Sequence, residues 1–344
     1  MIEQGEAKQN TKTPKRVIEG GEASKVKRTQ EITLRPQSLG EYIGQEEVKK
    51  NLSIAIQAAK KRKEPLEHIL LHGPPGLGKT TLAHIISHEM NVNIKMTSGP
   101  ALEKQGDLAS LLTNLKDNDI LFIDEMHRLR PAVEEVLYTA MEDFGIDIII
   151  GQGPSARSVR LSIPPFTLIG ATTKVSLLSS PLRDRFGNVF KLSFYGNEDI
   201  FKIIKRTASI LKIEIDDEAA KEIAKAARQT PRIANRLLRR IRDVAEVKNE
   251  KRISKAIAKS GLGSLGIDHL GLDQADRDIL EFLITKFDGG PVGLNTISAA
   301  TSEEQSTLEE VYEPYLLKIG LLERTPRGRT ATPAAYDHLG HEMQ

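Results

Sequence analysis

The segment Gly73-Pro-Pro-Gly-Leu-Gly-Lys79-Thr80 restricts the possible folds of this chain more than any other stretch. It fits G-x-x-x-x-G-K-[ST], follows the aliphatic run His68 to Leu71, and precedes a helical pattern from Thr81 to Met90. A strand, a glycine-rich turn and a helix in that order make an anion cradle. Backbone N–H groups from Gly76 through Gly78 to Thr80 converge on a phosphate at a helix N-terminus, where the macrodipole favours negative charge. Lys79 then neutralises β and γ oxygens, and the Thr80 hydroxyl is a hard oxygen ligand for magnesium. Such a unit needs a parallel α/β sheet around it.

The rest of the first half supplies that sheet. From about Ile32 to Phe194, short aliphatic runs alternate with amphipathic helical stretches, and Ile120 to Ile123 and Phe166 to Gly170 read as further buried strands. The run at Ile120 ends in Asp124 and Glu125, at the strand edge where open α/β sheets bind ligands. Beside a phosphate cradle, Asp124 holds magnesium directly or through water, and Glu125 polarises the attacking water as general base. Two β-like segments, Ile146 to Ile150 and Ser158 to Ile163, flank Gly151, Gly153, Pro154 and Ser155 and predict an inserted hairpin.

A chain of 344 residues exceeds one ordinary core, so several domains are expected. Residues 1–30 carry almost no aliphatic side chains and read as a flexible tail. The α/β pattern fills 31–195, the large ATPase domain. Residues 196–266 are helical in pattern, a small lid, with 17 Lys and Arg against 10 Asp and Glu between Gly196 and Ser260. Gly261-Leu-Gly-Ser-Leu-Gly266 spells G-x-G-x-x-G but follows a helix, so it reads as a linker rather than a dinucleotide site. In 267–344, helices at Asp273 to Lys286 and Ser302 to Lys318 precede the turn Thr325-Pro-Arg-Gly328, the order of a winged helix-turn-helix. Arg324, Arg327 and Arg329 make that turn basic, a candidate phosphate contact on an otherwise acidic module.

Several classes drop out. There are no cysteines, so disulfides and thiolate metal sites are excluded. His84 and His88 have i, i+4 spacing, yet Ile85 replaces the glutamate that metalloprotease chemistry needs. No apolar run of about 18 residues and no secretory leader is evident, which predicts a cytoplasmic protein. A net charge of +2 decides nothing about nucleic acid.

Asp124-Glu-Met-His-Arg-Leu129, Gly170-Ala-Thr-Thr173, Pro181-Leu-Arg-Asp-Arg-Phe-Gly187 and Thr230-Pro-Arg-Ile-Ala-Asn235 together resemble the RuvB family of AAA+ branch-migration ATPases. Gly289-Gly-Pro-Val-Gly293, Glu313-Pro-Tyr-Leu316 and Arg324-Thr-Pro-Arg-Gly-Arg329 extend the likeness over nearly everything from Leu34 onward. Met126, where relatives carry a β-branched residue, and Gln305, where they carry a basic one, depart from the pattern.

The resemblance implies an α/β fold, with an AAA+ P-loop domain, a helical lid and a C-terminal winged helix. It implies ATP and Mg²⁺ as nucleotide and metal, with contacts at the cradle residues, at Thr81, and at Leu34, Arg35, Tyr42 and Ile43 around the adenine. Thr172 or Thr173 matches the γ-phosphate sensor and Arg232 the second sensor, while Glu142, Asp143, Phe144 and Tyr195 fall at further nucleotide contacts. On the residues alone, Arg183 and Arg185 read as surface ion-pair partners. The resemblance makes Arg185 an arginine finger reaching a neighbouring subunit's nucleotide, which requires a ring. It further implies that Ile148, Ile149 and Ile150 dock on RuvA and that Arg324 and Arg329 touch DNA.

The implied activity is that of an ATP-driven hexameric motor. It translocates duplex DNA to branch-migrate Holliday junctions in recombination and repair, with RuvA and a RuvC-type resolvase. An ATP-switched DNA-binding initiator or clamp-loader-like protein shares the same parts, as does a protein remodeller.

Overall fold

The computed structural model describes residues 34–150 and 157–343, with the side chains of Ile148, Ile149 and Ile150 left out. The expected tail, 1–30, lies outside the described residues. The chain divides into two units, Met1–Arg35 and Pro36–Gln344, and the second carries the architecture that follows.

Strands β1 (Ile69–His72), β2 (Ile94–Ser98) and β3 (Ile120–Asp124) precede a hairpin of β4 (Gly145–Ile150) and β5 (Arg157–Ser162), and β6 (Thr167–Thr172) and β7 (Asn188–Lys191) follow it. Helices α1 (Glu46–Arg62), α2 (Lys79–Met90), α3 (Gln105–Thr113), α4 (Pro131–Asp143) and the short α5 (Ser180–Arg183) connect them. The sheet order is β2-β3-β6-β1-β7, and every pairing in it is parallel. Side chains alternate between its faces. Ile69, Leu71, Ile120, Phe122, Ile169 and Ala171 join one core, while Leu70, Leu121, Ile123 and Leu168 join the other. Continuous aliphatic runs in β1, β3 and β6 are therefore what a sheet covered on both sides requires. Met126 is fully buried in the second core, so the departure at that position is absorbed by packing.

The hairpin stands as its own two-stranded antiparallel sheet, with Gly145 opposite Ser162 and Ile150 opposite Arg157. Every residue of β5 is exposed, Val159 and Leu161 included.

Helices α6 (Asn197–Ile210), α7 (Asp217–Ala226), α8 (Pro231–Val247) and α9 (Lys255–Ser264) form the helical part, with a minimal parallel pairing of β8 (Glu214–Ile215) and β9 (Arg252–Ile253). Their apolar stripes continue the first core, whose members range from Tyr42 to Leu262. The linker expectation for 261–266 is corrected here: α9 stays helical through Ser264. A Cβ on Gly261 would sit 2.9 Å from Ile241 Cγ1, so the glycine serves close packing of α9 on α8.

The C-terminal part comprises α10 (Gln274–Phe287), α11 (Leu294–Thr301), a helical stretch from Gln305 through a π turn at Leu308–Tyr312 into α12 (Glu313–Lys318), and α13 (Pro333–Leu339). The hairpin β10 (Leu322–Thr325) and β11 (Gly328–Ala331) lies between α12 and α13, and Val292 bridges to Arg329. A third core of Leu, Ile and Tyr residues holds these elements together. Sequence reading missed α11, whose eight residues are too short to show a period. Among the described residues no helix is long and apolar enough to cross a membrane.

Candidate active site

Sheet order puts three strand ends side by side. Because β3, β6 and β1 are neighbours and parallel, Asp124, Thr172 and the turn after His72 emerge at one edge. The turn is anchored by the Gly73 N–H donating to Thr172 O at 3.2 Å. Gly76 has φ +79°, and a Cβ there would meet Thr230 Cγ2 at 2.8 Å and Arg232 Cβ at 3.2 Å. The loop therefore presses against the N-terminus of α8 at a point where only glycine fits. This contact brings Arg232, itself exposed, up to the loop.

Two phenols support the loop from beneath. The Leu77 carbonyl lies 3.3 Å from the Tyr42 hydroxyl and 3.1 Å from the Tyr195 hydroxyl, and the hydroxyls are 2.8 Å apart. Burial holds Tyr42 well above the usual phenol value and pushes Tyr195 up to about 12, so both are neutral hydrogen-bonding groups. Ile43 is half-buried beside Tyr42 in the chain, while Leu34 and Arg35 belong to the N-terminal unit.

Lys79 opens α2 and is buried, and its ammonium donates to Gly73 O at 2.7 Å and Pro74 O at 2.9 Å. Burial pulls the ammonium down to about 8, with the Asp124 carboxylate opposing and Arg232 reinforcing the fall. Asp124 at the strand edge and Arg232 on α8 thus both act electrostatically on Lys79. Thr80 and Thr81 follow at the start of α2 and are half-buried. Asp124 accepts the Glu125 N–H at 2.9 Å. Glu125 takes the left-handed conformation, φ 48°, and its carboxylate pairs with Arg128 at 2.9 Å in a half-exposed ion pair.

Thr172 is fully buried, and its hydroxyl oxygen accepts the Lys174 N–H at 3.0 Å and lies 3.0 Å from His127 Nδ1. The hydroxyl of Thr173 donates instead to Glu310 Oε2 at 3.4 Å. His127 was not singled out from the sequence, though it lies in the Asp124-Glu-Met-His segment. Burial lowers its pKa and keeps the ring neutral at physiological pH.

A second group of expected residues collects elsewhere. Arg185 pairs with Glu142 at 3.0 Å, donates to Pro181 O at 2.7 Å, and stacks over the Tyr138 ring at 4.9 Å. Tyr138 is fixed by Glu134 and Ser179, at 2.9 and 2.8 Å from its hydroxyl. Asp143 is paired with Arg160 at 2.7 Å, and Phe144 packs edge-on against Phe166. Among the described contacts, none ties this group to Gly76–Thr80, Asp124 or Thr172. The structure thus brings Tyr42, Lys79, Asp124, Thr172, Tyr195 and Arg232 together and sets Arg185, Glu142, Asp143 and Phe144 apart.

At the wing, Arg324 and Arg329 both pair with the buried Glu313 carboxylate. The Arg324 side chain is half-exposed and that of Arg329 mostly covered, while Arg327 is exposed at the tip. The backbone of Ile148–Ile150 is strand, and their side chains lie outside the described residues.

Comparison with known proteins follows the same three divisions. The family model for the Holliday junction DNA helicase RuvB P-loop domain matches residues 34–192. The RuvB AAA lid domain matches 195–268 and the RuvB C-terminal winged helix domain 269–340. Among solved structures, a Thermotoga maritima RuvB mutant is 55% identical, with a TM-score of 0.85 over 90% of this chain and 99% of its own. The Thermotoga maritima RuvB Holliday junction branch migration motor is 54% identical, with a TM-score of 0.84 over 91% of this chain and 100% of its own.

Proposed function

The chain belongs to the RuvB family, an ATP-hydrolysing Holliday junction branch-migration motor, and from that premise we propose how its residues divide the work. The observation that carries the proposal is that Arg185 is held by Glu142, the Pro181 carbonyl and the Tyr138 ring, and by no described contact to the cradle of its own copy. A finger that lies apart from its own cradle completes the site of a neighbouring copy, so the working unit is a ring, by family likeness a hexamer around duplex DNA.

In the cradle, ATP phosphates exchange for the Gly73 and Pro74 carbonyls as partners of Lys79, and Tyr42, Ile43 and Tyr195 hold the base end. Thr80 and Asp124 are the hard oxygen donors suited to Mg²⁺, which neutralises phosphate charge when bound. Glu125 leaves Arg128 to accept a proton from the attacking water, a role that needs a carboxylate free to turn. Thr173, half-buried beside the fully buried Thr172, is the γ-phosphate sensor, and Thr172 with His127 braces it. Arg185, released from Glu142, lends its charge to the neighbouring transition state, and Glu142, Asp143 and Phe144 line that shared face. Arg232 carries phosphate occupancy into the lid.

The domains 31–195, 196–266 and 267–344 act as engine, lid and DNA contact. Arg324 and Arg329 grip phosphates without reading bases, as movement along arbitrary sequence requires. The hairpin β4–β5 takes up RuvA, which confers junction specificity, and a RuvC-type resolvase acts downstream in the cytoplasm. The test is ATP-dependent junction separation with and without RuvA. Lys79→Ala abolishes it, and Arg185→Ala poisons mixed rings by spoiling the site next door. Native activity undiminished by an equal dose of Arg185→Ala subunits in one ring sinks the shared-site reading.

A further inference from the structure

The C-terminal domain reaches the phosphate-binding edge through two glutamates on its π turn, Glu309 and Glu310. Lys174 Nζ lies 3.0 Å from Glu310 Oε1 and 3.6 Å from Glu309 Oε2, and Thr173 donates to the other oxygen of Glu310. Glu309 Oε1 is in turn 3.6 Å from Arg329 Nη2, on the wing. A line of alternating charges therefore joins the strand end of β6 to Arg329 of β11. Burial lowers Lys79 and His127, and Glu310 is among the carboxylates that oppose this, so its charge also faces the cradle.

We propose that Glu309 and Glu310 form an electrostatic latch that makes ATP at the phosphate loop and DNA at the wing mutually reinforcing ligands. The proposal rests on reading Gly73–Thr80 as the ATP site and the wing as a DNA contact. A triphosphate seated on Lys79 is a polyanion in the field of Glu310, and like charges repel. Glu310 then loosens from Thr173 and Lys174, which turn to phosphate. Movement of the same π turn draws Glu309 away from Arg329, so that Nη2 is open to the DNA backbone while Nε stays on Glu313. DNA phosphates acting from the other end compete with Glu309 for Arg329 and pull the same contact open. Each of these pairs is partly exposed and weak by itself, so either ligand can displace it. Two ligands working against one contact are linked, and the linkage is reciprocal.

The experiment measures binding of a fluorescent 30-base-pair duplex to the full-length protein with and without a non-hydrolysable ATP analogue and Mg²⁺, at matched oligomeric state. The native chain should bind the duplex at least about fivefold more tightly with the analogue, within the usual range of coupling. In E309Q/E310Q, duplex affinity without nucleotide should rise to that of the native protein with nucleotide, and the ratio should fall to near one. Simple removal of two negative charges raises affinity in both states alike and leaves the ratio intact. An unchanged ratio in the double variant, or a native ratio of one, overturns the proposal. Lys79→Ala is the separate control: if it still binds the analogue, the reading of the phosphate loop fails instead.

Discussion

The cradle edge and the Arg185 face are both rich in charge, yet they are built by opposite rules. Around Lys79 the charged group is buried, bonded to two loop carbonyls and braced by two neutral phenols. Around Arg185, itself mostly covered, the partners are the Pro181 carbonyl, a tyrosine ring and Glu142, and Glu142 is more than half exposed. A buried site is organised before its ligand arrives. A surface ion pair contributes little and can be exchanged at small cost, which suits a side chain that must reach across an interface and return. In the function proposed above, the first region is the half of the reaction pre-formed within one copy and the second the half that waits for assembly.

Removing Arg185 tests that division most severely. Arg185→Ala should bind nucleotide as the native chain does but lose about 10³- to 10⁵-fold in turnover, the range of a transferred guanidinium. Steady-state hydrolysis by the assembled oligomer reads this, and normal turnover there erases the distinction between the two faces. Glu125→Gln should keep ATP bound and slow its cleavage by about 10²- to 10⁴-fold, seen as nucleotide retained on the protein in a single-turnover assay.

The third measurement uses pH. Lys79 in the free protein titrates near 8, and a bound triphosphate favours its charged form, raising that value. Affinity for ATP should therefore be flat below about pH 8 and fall by roughly tenfold per unit above it. A titration with a fluorescent ATP analogue from pH 6.5 to 9.5 checks the sign, and a rise in affinity with pH contradicts it. The smallest effect is expected on the exposed face. Asp143→Asn breaks the pair with Arg160, both about half exposed, and should leave the midpoint of urea denaturation almost unchanged. A larger loss means that this face is a structural element and not an exchangeable one.

How much of this could be read from the chain differs between the same two regions. The phosphate loop and the acid pair at 124–125 are local patterns, each on one strand–turn unit, and spacing alone placed them on a parallel sheet. The hairpin and the wing were legible for the same reason, since turn residues sit between short extended runs. The edge strand β2 was not, because Ile94–Ser98 is only half-buried and mixes Lys and Thr with its apolar residues. Nor was the helical course of 261–264, where glycines that read as a break serve interhelical contact. Least legible was Glu310, which meets Thr173 across 137 residues of chain. Neither has a local pattern that anticipates the other, and only the tertiary fold makes them neighbours.

Helix α8 begins at Pro231, with Arg232 against the cradle, and runs 17 residues to Val247, at the surface. At 1.5 Å per residue it is a stiff rod of about 25 Å, so a tilt of about 5° at the phosphate end sweeps the far end by roughly 2 Å. Sub-ångström adjustments around a departing phosphate thus reach the perimeter of the subunit already amplified, with the gain set by the length of one rod.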